Sequence, residues 1–522
     1  MSPLKWWENA VIYQIYPRSF QDSNSDGIGD LNGITSRLSY IADLGVDAIW
    51  ISPFFKSPQY DFGYDVSDYC DINPEYGTLS DFDNLIQKIH KLGLRLMIDI
   101  VPAHCSFLHP WFEESRQSRE NPKADWFHWV DPKPDGSAPN NWLSFFGGSA
   151  WTWEPRRQQY YLHNFLPEQP NLNHANLEIR DELNKIARFW FDRGVDGFRL
   201  DAVHTINGDT PPYRDNLADP NFVLGPLPQD KQPFFRQLHD VAQLNQPVIQ
   251  DFSKAYREIA DEYDGDRFLM GEVDGDKGNA MNVSKTFSEP GRLHATYNFD
   301  LLEWSGLTVS ELKKAISNAI EVFNGSGRLC FAFSNHDVPR SATRQLESLG
   351  IPLDKQNDLQ LLLLQLETSL IGSACIYQGE ELGLCDVIDI PVNKMKDPWG
   401  INFYPEFLGR DTCRTPMVWD KKQPMAGFTS ANQSWLPISE AHLEKAGLEM
   451  ARDANSIYRK FSEFLKWRKK QPAMMHANLM SEVSGGPKEI IFDRISDFQK
   501  LRCKFDFELV KATFEEVKHG AS

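Results

Sequence analysis

The side chains of this 522-residue sequence most suited to chemistry sit just after short apolar runs. LRLMIDIV (94–101) carries Asp99 and leads to His104, and VDGFRLDA (195–202) carries Arg199 and Asp201. RFLMGEV (267–273) carries Glu272, and RLCFAFS (328–334) runs into Asn335, His336 and Asp337. Acidic groups gathered at several strand ends with no Lys among them repel one another, which costs stability unless function requires them. Cleavage of a glycosidic bond requires such a set: an acid for the leaving oxygen and a carboxylate on the opposite sugar face. Asp201 suits the nucleophile, because Arg199 two residues earlier shares its side of a strand and would hold it ionised. Glu272 suits the general acid, because partial burial after FLMG near other carboxylates would raise its pKa. Double displacement would set the two roughly 5–5.5 Å apart, leaving Asp337 to hydrogen-bond sugar hydroxyls as the ring distorts.

Such residues converge only if their strands run side by side. Eight apolar, β-branched or aromatic runs recur: AVIYQIY (10–16), VDAIWIS (46–52), the four just named, HATYNFD (294–300) and SACIYQG (373–379). Helical periodicity follows most of them, the alternation that builds parallel sheets. Eight such strands predict an α/β fold, a (β/α)8 TIM barrel with its chemistry at the C-terminal mouth. SDFDNLIQKIHKLG (80–93) reads as a helix with Ser80 as N-cap and Gly93 as C′ residue. LEIRDELNKIARFWFDRG (177–194) and ANSIYRKFSEFLKWRKKQ (454–471) read as two more. Residues 105–173, rich in Trp, Pro, Asn and Gly, are too long for a βα loop and predict an inserted small domain. The barrel would then comprise 1–104 and 174–471. Residues 472–522, with EIIFDRI and LRCKFDFEL around GGPK, predict a β-rich, sandwich-like C-terminal domain.

DIVPAH (99–104), GFRLDAVH (197–204), MGEV (270–273) and FSNHD (333–337) together resemble the four conserved regions of the α-amylase superfamily, glycoside hydrolase family 13. With GVDAIWISP (45–53) and QPNLN (169–173), the chain resembles the α-glucosidase and oligo-1,6-glucosidase branch from end to end. The resemblance implies Asp201 as nucleophile, Glu272 as acid and Asp337 as transition-state stabiliser, with His104, Arg199 and His336 around the glucose. It further implies Asp61 and Tyr64 from DFGYDVSDY, and Arg410 from GRDTCRTP paired with Asp61 to make a blind pocket for exo action. Phe146 and Phe165 match aromatic positions lining the pocket and its exit, with Tyr64 as stacking platform. Two positions depart from the pattern: Ala103 where Asn is common, and Asn171 where this branch usually carries Asp. Linkage preference in the branch follows the residue after the nucleophile, and Ala202 there implies α-1,4 over α-1,6 bonds.

DSNSDGIGD (22–30) places oxygen ligands at Asp22, Asn24, Asp26 and Asp30, with Gly27 permitting a sharp turn, as in the first half of a calcium loop. Relatives hold Ca2+ or Mg2+ there with the Ile28 carbonyl, so a structural ion is expected and no organic cofactor. The 54 basic and 73 acidic residues give a net charge of -19, which disfavours nucleic acid and anionic membranes and leaves a small α-glucoside as partner. No run reaches the length of a membrane span and the amino terminus lacks a signal pattern. Seven scattered cysteines include no CxxC pair, so neither disulfides nor zinc are expected. The reading is a cytoplasmic monomer or homodimer acting on maltose and short malto-oligosaccharides. Three alternatives stand beside it. A sucrose isomerase, trehalose synthase or transglucosylase would keep the same catalytic groups. A non-catalytic transporter chain would have lost them, and a metal-binding barrel is disfavoured by Arg199 beside Asp201.

Overall fold

The computed structural model describes residues 5–208, 213–216, 243–273, 280–324, 328–477 and 479–517. Each of the eight apolar runs contains one strand: β1 Val11–Ile15, β2 Ala48–Ile51, β3 Arg95–Ile100, β4 Gly197–Leu200, β5 Phe268–Glu272, β6 Ala295–Tyr297, β7 Leu329–Phe331 and β8 Ser373–Tyr377. They pair in parallel in sequence order, and β1 against β8 closes the barrel, Val11 opposite Ala374 and Gln14 opposite Tyr377. The runs are largely apolar because both faces of each strand are covered. Tyr13, Ile49, Ile51, Ile98, Leu200 and Leu269 pack among the outer helices. Ile12, Trp50, Met97, Met270, Tyr297 and Cys375 fill the interior. Because side chains alternate along a strand, Gln14, Asp99, Arg199 and Glu272 continue that interior face. The polar groups thus cap an apolar barrel.

Around it run α1 Leu31–Leu44, α2 Leu79–Lys91, α3 Leu177–Asp192, α4 Val248–Asp261, α5 Ala280–Phe287, α6 Val309–Asn324, α7 Ser341–Leu349, α8 Gln356–Glu367 and α9 Ile457–Arg468. The N-cap of α2 is Thr78, not Ser80. Thr78 and Asp81 form a reciprocal capping box, which ties down two end N–H groups where Ser80 would serve one. Gly93 does take the left-handed C′ conformation, φ 76°, its N–H donating to His90 O and that of Leu94 to Ile89 O.

Between β3 and α3 the chain forms a short helix, Pro110–Ser115, and a three-stranded antiparallel sheet of Trp129–Val130, Gln159–Leu162 and Trp151–Glu154. Its own apolar cluster holds Trp142, Trp151 and Leu162. After the barrel, β9 Leu479–Met480, β10 Glu489–Ile495, β11 Lys500–Asp506 and β12 Lys511–Glu516 make one antiparallel sheet. A second sheet is not its partner: Ile490, Phe492, Leu501 and Phe505 share an apolar cluster with Leu312 and Ile316 of α6 and Leu359 and Leu363 of α8. The layer that completes this domain is helical.

Arg494 of β10 is fully buried and donates to the carbonyls of Ser369, Leu370 and Met474 and to Asn9 Oδ1. It ties the sheet to the floor of the barrel. Arg494→Met would strand those carbonyls, at about 1–3 kcal/mol for each buried group left unsatisfied. A lowered melting temperature in calorimetry, with the C-terminal sheet the first part to gain amide exchange, is the expected outcome.

Candidate active site

Arg199 is fully buried at the barrel mouth and three carboxylates converge on it. Its Nη1 donates to Asp99 Oδ1 at 3.0 Å and to Asp201 Oδ1 at 2.6 Å. Its Nη2 stands 2.7 Å from Glu272 Oε2, an ion pair lying off the hydrogen-bond axis. That same oxygen accepts the Ala202 N–H at 2.7 Å. Ala202 turns this N–H toward Glu272 by adopting a left-handed conformation, φ 42° and ψ 40°, which a small side chain tolerates better than a β-branched one. Glu272 is therefore held by the guanidinium that holds Asp201 and by the amide of the very next residue.

Three carboxylates share one guanidinium here, so full ionisation would leave the cluster two negative charges in excess. Burial raises the Asp201 carboxyl, and Glu272 and Asp99 add to the rise while Arg199 opposes it. The expected short contact from Arg199 is present, but its power to hold Asp201 ionised is reduced because its charge is divided among three acids. Asp99 likewise is pushed up to about 7, chiefly by burial and against the pull of Arg199. Asp99 and Asp201 therefore hold protons more tightly than free carboxylates, and they titrate together because both lean on the same Nη1.

Asp337 lies in the opposite electrostatic setting. Burial would raise it, but His336 at 3.2 Å, Arg414 at 2.8 Å and Arg410 at 3.3 Å hold it well below the usual carboxylate range. Arg410 also pairs with Asp61 at 2.8 Å and is clamped by Asp397. Asp397 Oδ1 accepts from Arg410 Nε and Nη2 at 3.1 and 2.7 Å, and its Oδ2 accepts the Arg410 backbone N–H at 2.6 Å. Asp397 also caps the short helix Pro398–Phe403, whose Asn402 donates to Phe146 O on the inserted domain. One aspartate thus joins Arg410 to the segment that reaches across the mouth.

The remaining predicted residues gather on the same side. Tyr64 Oη is 2.5 Å from His336 Nε2 and 3.3 Å from Asp99 Oδ2, and its ring stacks on that of His336. His104 Nε2 lies 3.1 Å from Tyr64 O, while its Nδ1 is buried without a partner among the described residues. Burial lowers His104 to about 4, so it is neutral. The rings of His104, Phe165, Phe146 and Trp399 follow one another at 5.2, 5.8 and 5.6 Å, and Arg410 lies over Phe146 at 4.9 Å. Every residue expected around the sugar is therefore brought to one mouth. Sequence reasoning missed Asp397, Arg414 and Gln169, whose Nε2 donates to Asp61 Oδ2. Each is a polar residue in an irregular segment, where no periodicity marks it. Asn171 donates to Thr205 O at 3.3 Å and accepts the Asn164 N–H, and an ionised aspartate could not make the first bond.

Asp22, Asn24, Asp26, Ile28 and Asp30 lie on the loop leading into α1. Both oxygens of Asp22 are engaged, by the N–H groups of Asn24, Ser25 and Gly27 and by Thr429. Asp30 caps α1 and accepts from Ser23. Burial raises the Asp26 carboxyl and the charges of Asp22 and Asp30 add to it, a crowding of anions that a divalent cation would relieve. Among the described residues no group of three or more His, Cys, Asp or Glu is arranged to hold a metal. Asn24 and Asp26 likewise accept the N–H groups of Asp26 and Ile28, and Asp30 those of Ser23 and Gly33, so an ion would share these oxygens with the loop's own amides.

A family model described as the α-amylase catalytic domain matches residues 14–477. The chain belongs to the α-amylase catalytic-domain family. Within this family it is 46% identical over 515 residues to a probable α-glucosidase of Rhizobium meliloti, covering 98% of this chain and 91% of that one. It is 34% identical to an oligo-1,6-glucosidase of Parageobacillus thermoglucosidasius, over 90% and 85% of the two chains. Among solved α-amylase-family structures it resembles an α-glucosyl transfer enzyme, XgtA, with TM-score 0.90 and 44% identity over 97% of this chain and 92% of that one. As in that family, the chain is a glycoside hydrolase.

The shared guanidinium has a kinetic consequence. In Asp99→Asn one competing negative charge disappears, so the Asp201 carboxyl falls. The acidic limb of kcat/KM, which reports the free-enzyme base, should move to lower pH while the maximum drops. A pH profile with an unmoved acidic limb would show that Asp99 does not act on Asp201.

Proposed function

We propose that this chain is a retaining, exo-acting α-glucosidase that removes terminal α-linked glucose from short α-glucosides. The observation that carries the reading is the pair Asp201 and Glu272 on one buried guanidinium, beside a mouth walled by the Asp61–Arg410 ion pair. Two carboxylates on neighbouring nitrogens of one Arg suit the short separation that a retaining enzyme uses.

In this reading Asp201 attacks the anomeric carbon as Glu272 gives its proton to the leaving oxygen. Loss of that proton leaves Glu272 a base, and the Ala202 N–H and Arg199 stabilise its charge. It then takes a proton from water, which attacks the glucosyl ester and releases α-glucose with the first configuration restored. Asp337, held ionised by His336, Arg414 and Arg410, binds sugar hydroxyls and stabilises positive charge as it grows on the ring. Asp61 and Arg410 take the hydroxyls of the non-reducing end, which closes the pocket to longer chains on that side. His104, Phe146 and Phe165 line it, Tyr64 stacks against the ring, and Ala202 leaves space suited to an α-1,4 linkage.

Transfer of glucose to a sugar acceptor is the second reading. The likeness to XgtA favours it, as does that to an isomaltulose synthase of Erwinia rhapontici, with TM-score 0.86 and 32% identity over 97% of this chain and 91% of that one. All catalytic steps up to the glucosyl ester are the same. Maltose, isomaltose and sucrose followed by anomer-resolved NMR distinguish the two. The expected outcome is α-glucose formed first, with maltose consumed faster than isomaltose. Inverted β-glucose would refute the mechanism, and disaccharide isomers as main product would establish transfer instead.

We further infer that the loop 22–30 holds Ca2+ or Mg2+ through Asp22, Asn24, Asp26, the Ile28 carbonyl and Asp30. The ion would brace the entry to α1. Chelation should lower the melting temperature, and either ion should restore it; an unchanged melting curve at excess chelator would refute the site. Among the described residues no helix is long and apolar enough to cross a membrane; the reading takes the protein as a cytoplasmic monomer or homodimer that uses small substrates.

A further inference from the structure

Gln14 interrupts the otherwise apolar first strand, and no step above uses it. It is fully buried on the inner face of β1, with its Nε2 2.8 Å from His336 Nδ1 and 3.3 Å from Ser52 Oγ. Its Oε1 has no partner among the described residues. A buried amide with one end idle costs stability, so its placement calls for a reason at the other end.

That end is the His336 ring, whose position leaves one variable open. The ring is stacked between Tyr16 at 5.7 Å and Tyr64 at 5.5 Å, and its backbone carbonyl accepts from Arg414 Nε at 2.6 Å. Burial holds the imidazole neutral, with the nearby guanidinium groups acting the same way against Asp337. A neutral imidazole carries one N–H, and the partner of one nitrogen decides where it lies. Nε2 faces Asp337 Oδ2 at 3.2 Å and Tyr64 Oη at 2.5 Å. A lone pair there would oppose the carboxylate, whereas an N–H would bind it. Gln14 donating to Nδ1 enforces the second arrangement.

The polarity then propagates. With Nε2–H as donor, Tyr64 Oη is free to donate to Asp99 Oδ2 at 3.3 Å. Asp99 accepts from Arg199, which in turn donates to Asp201. We propose that Gln14 is a positioning residue that fixes the Nε2–H tautomer of His336, and so orients Asp337 and the hydrogen-bond chain ending at Asp201. The proposal rests on the glucosidase reading for its kinetic effect but not for the tautomer itself.

The test joins spectroscopy to kinetics. Imidazole 15N shifts of histidine-labelled protein, with His336 assigned through His336→Gln, should show its Nδ1 unprotonated and Nε2 protonated. Gln14→Glu, read above the pH at which the new carboxyl ionises, offers only an acceptor and should move the proton to Nδ1, cutting kcat/KM on maltose at least about 10-fold. Gln14→Met, similar in volume but without a donor, should cut kcat/KM while melting as the parent does. An Nδ1-protonated His336 in the parent protein would overturn the proposal even if no variant folds. So would Gln14→Glu with unchanged tautomer and parental kcat/KM. Loss of activity in the parent on every α-glucoside, with the tautomer as expected, would instead count against the glucosidase reading alone.

Discussion

The site depends on a single positive charge that cannot satisfy all the acids around it. Arg199 is surrounded by Asp99, Asp201 and Glu272, and burial of so many ionisable groups is costly unless each is paired. The shortage of positive charge is what makes the cluster useful. The nucleophile and the acid lean on one guanidinium, so a change of charge on either carboxylate is felt by the other at each half of the turnover. Adding a second cation would settle the charges and remove that coupling. Removing Arg199 would leave the acids to repel one another, a loss of about 3–5 kcal/mol by comparison with broken buried pairs.

Asp337 illustrates the other solution within the same mouth. Two arginines and a histidine surround one carboxylate and hold it well below the usual carboxylate range. The two networks meet at Tyr64 and His336, where hydrogen bonds connect the carboxylate held low to the cluster pushed up. Arg410 extends the second network outward through Asp61 and Asp397, so the charge that orders the stabilising carboxylate also builds the wall of the pocket. Catalytic and enclosing functions are mechanically joined at that residue.

Much of this was legible in the sequence, for identifiable reasons. The eight barrel strands are buried on both faces and therefore appear as largely apolar runs, and polar residues at their C-terminal ends had few places to go but the mouth. Asp201, Glu272 and Asp337 were visible by that logic. What the sequence did not reveal was charge balance. From the spacing of Arg199 and Asp201 the two looked like a private pair, because Asp99 and Glu272 approach from other strands and only closure of the barrel brings them in. Asp397 and Arg414 lie on segments with no repeating pattern, and the Thr78 cap was overlooked for Ser80 because both are good capping residues two positions apart. The covering of the C-terminal sheet by α6 and α8 depends on how distant elements dock, which strand patterns do not encode.

The central claim is that Asp201, on its shared guanidinium, forms a covalent bond to glucose. The protein can be incubated with 5-fluoro-α-glucosyl fluoride, digested, and its peptides weighed by mass spectrometry. A fluoroglucosyl adduct on the peptide containing Asp201, absent from Asp201→Asn, is the predicted result. An adduct on Glu272 or Asp337, or turnover of the reagent through Asp201→Asn at the parental rate, would contradict the account.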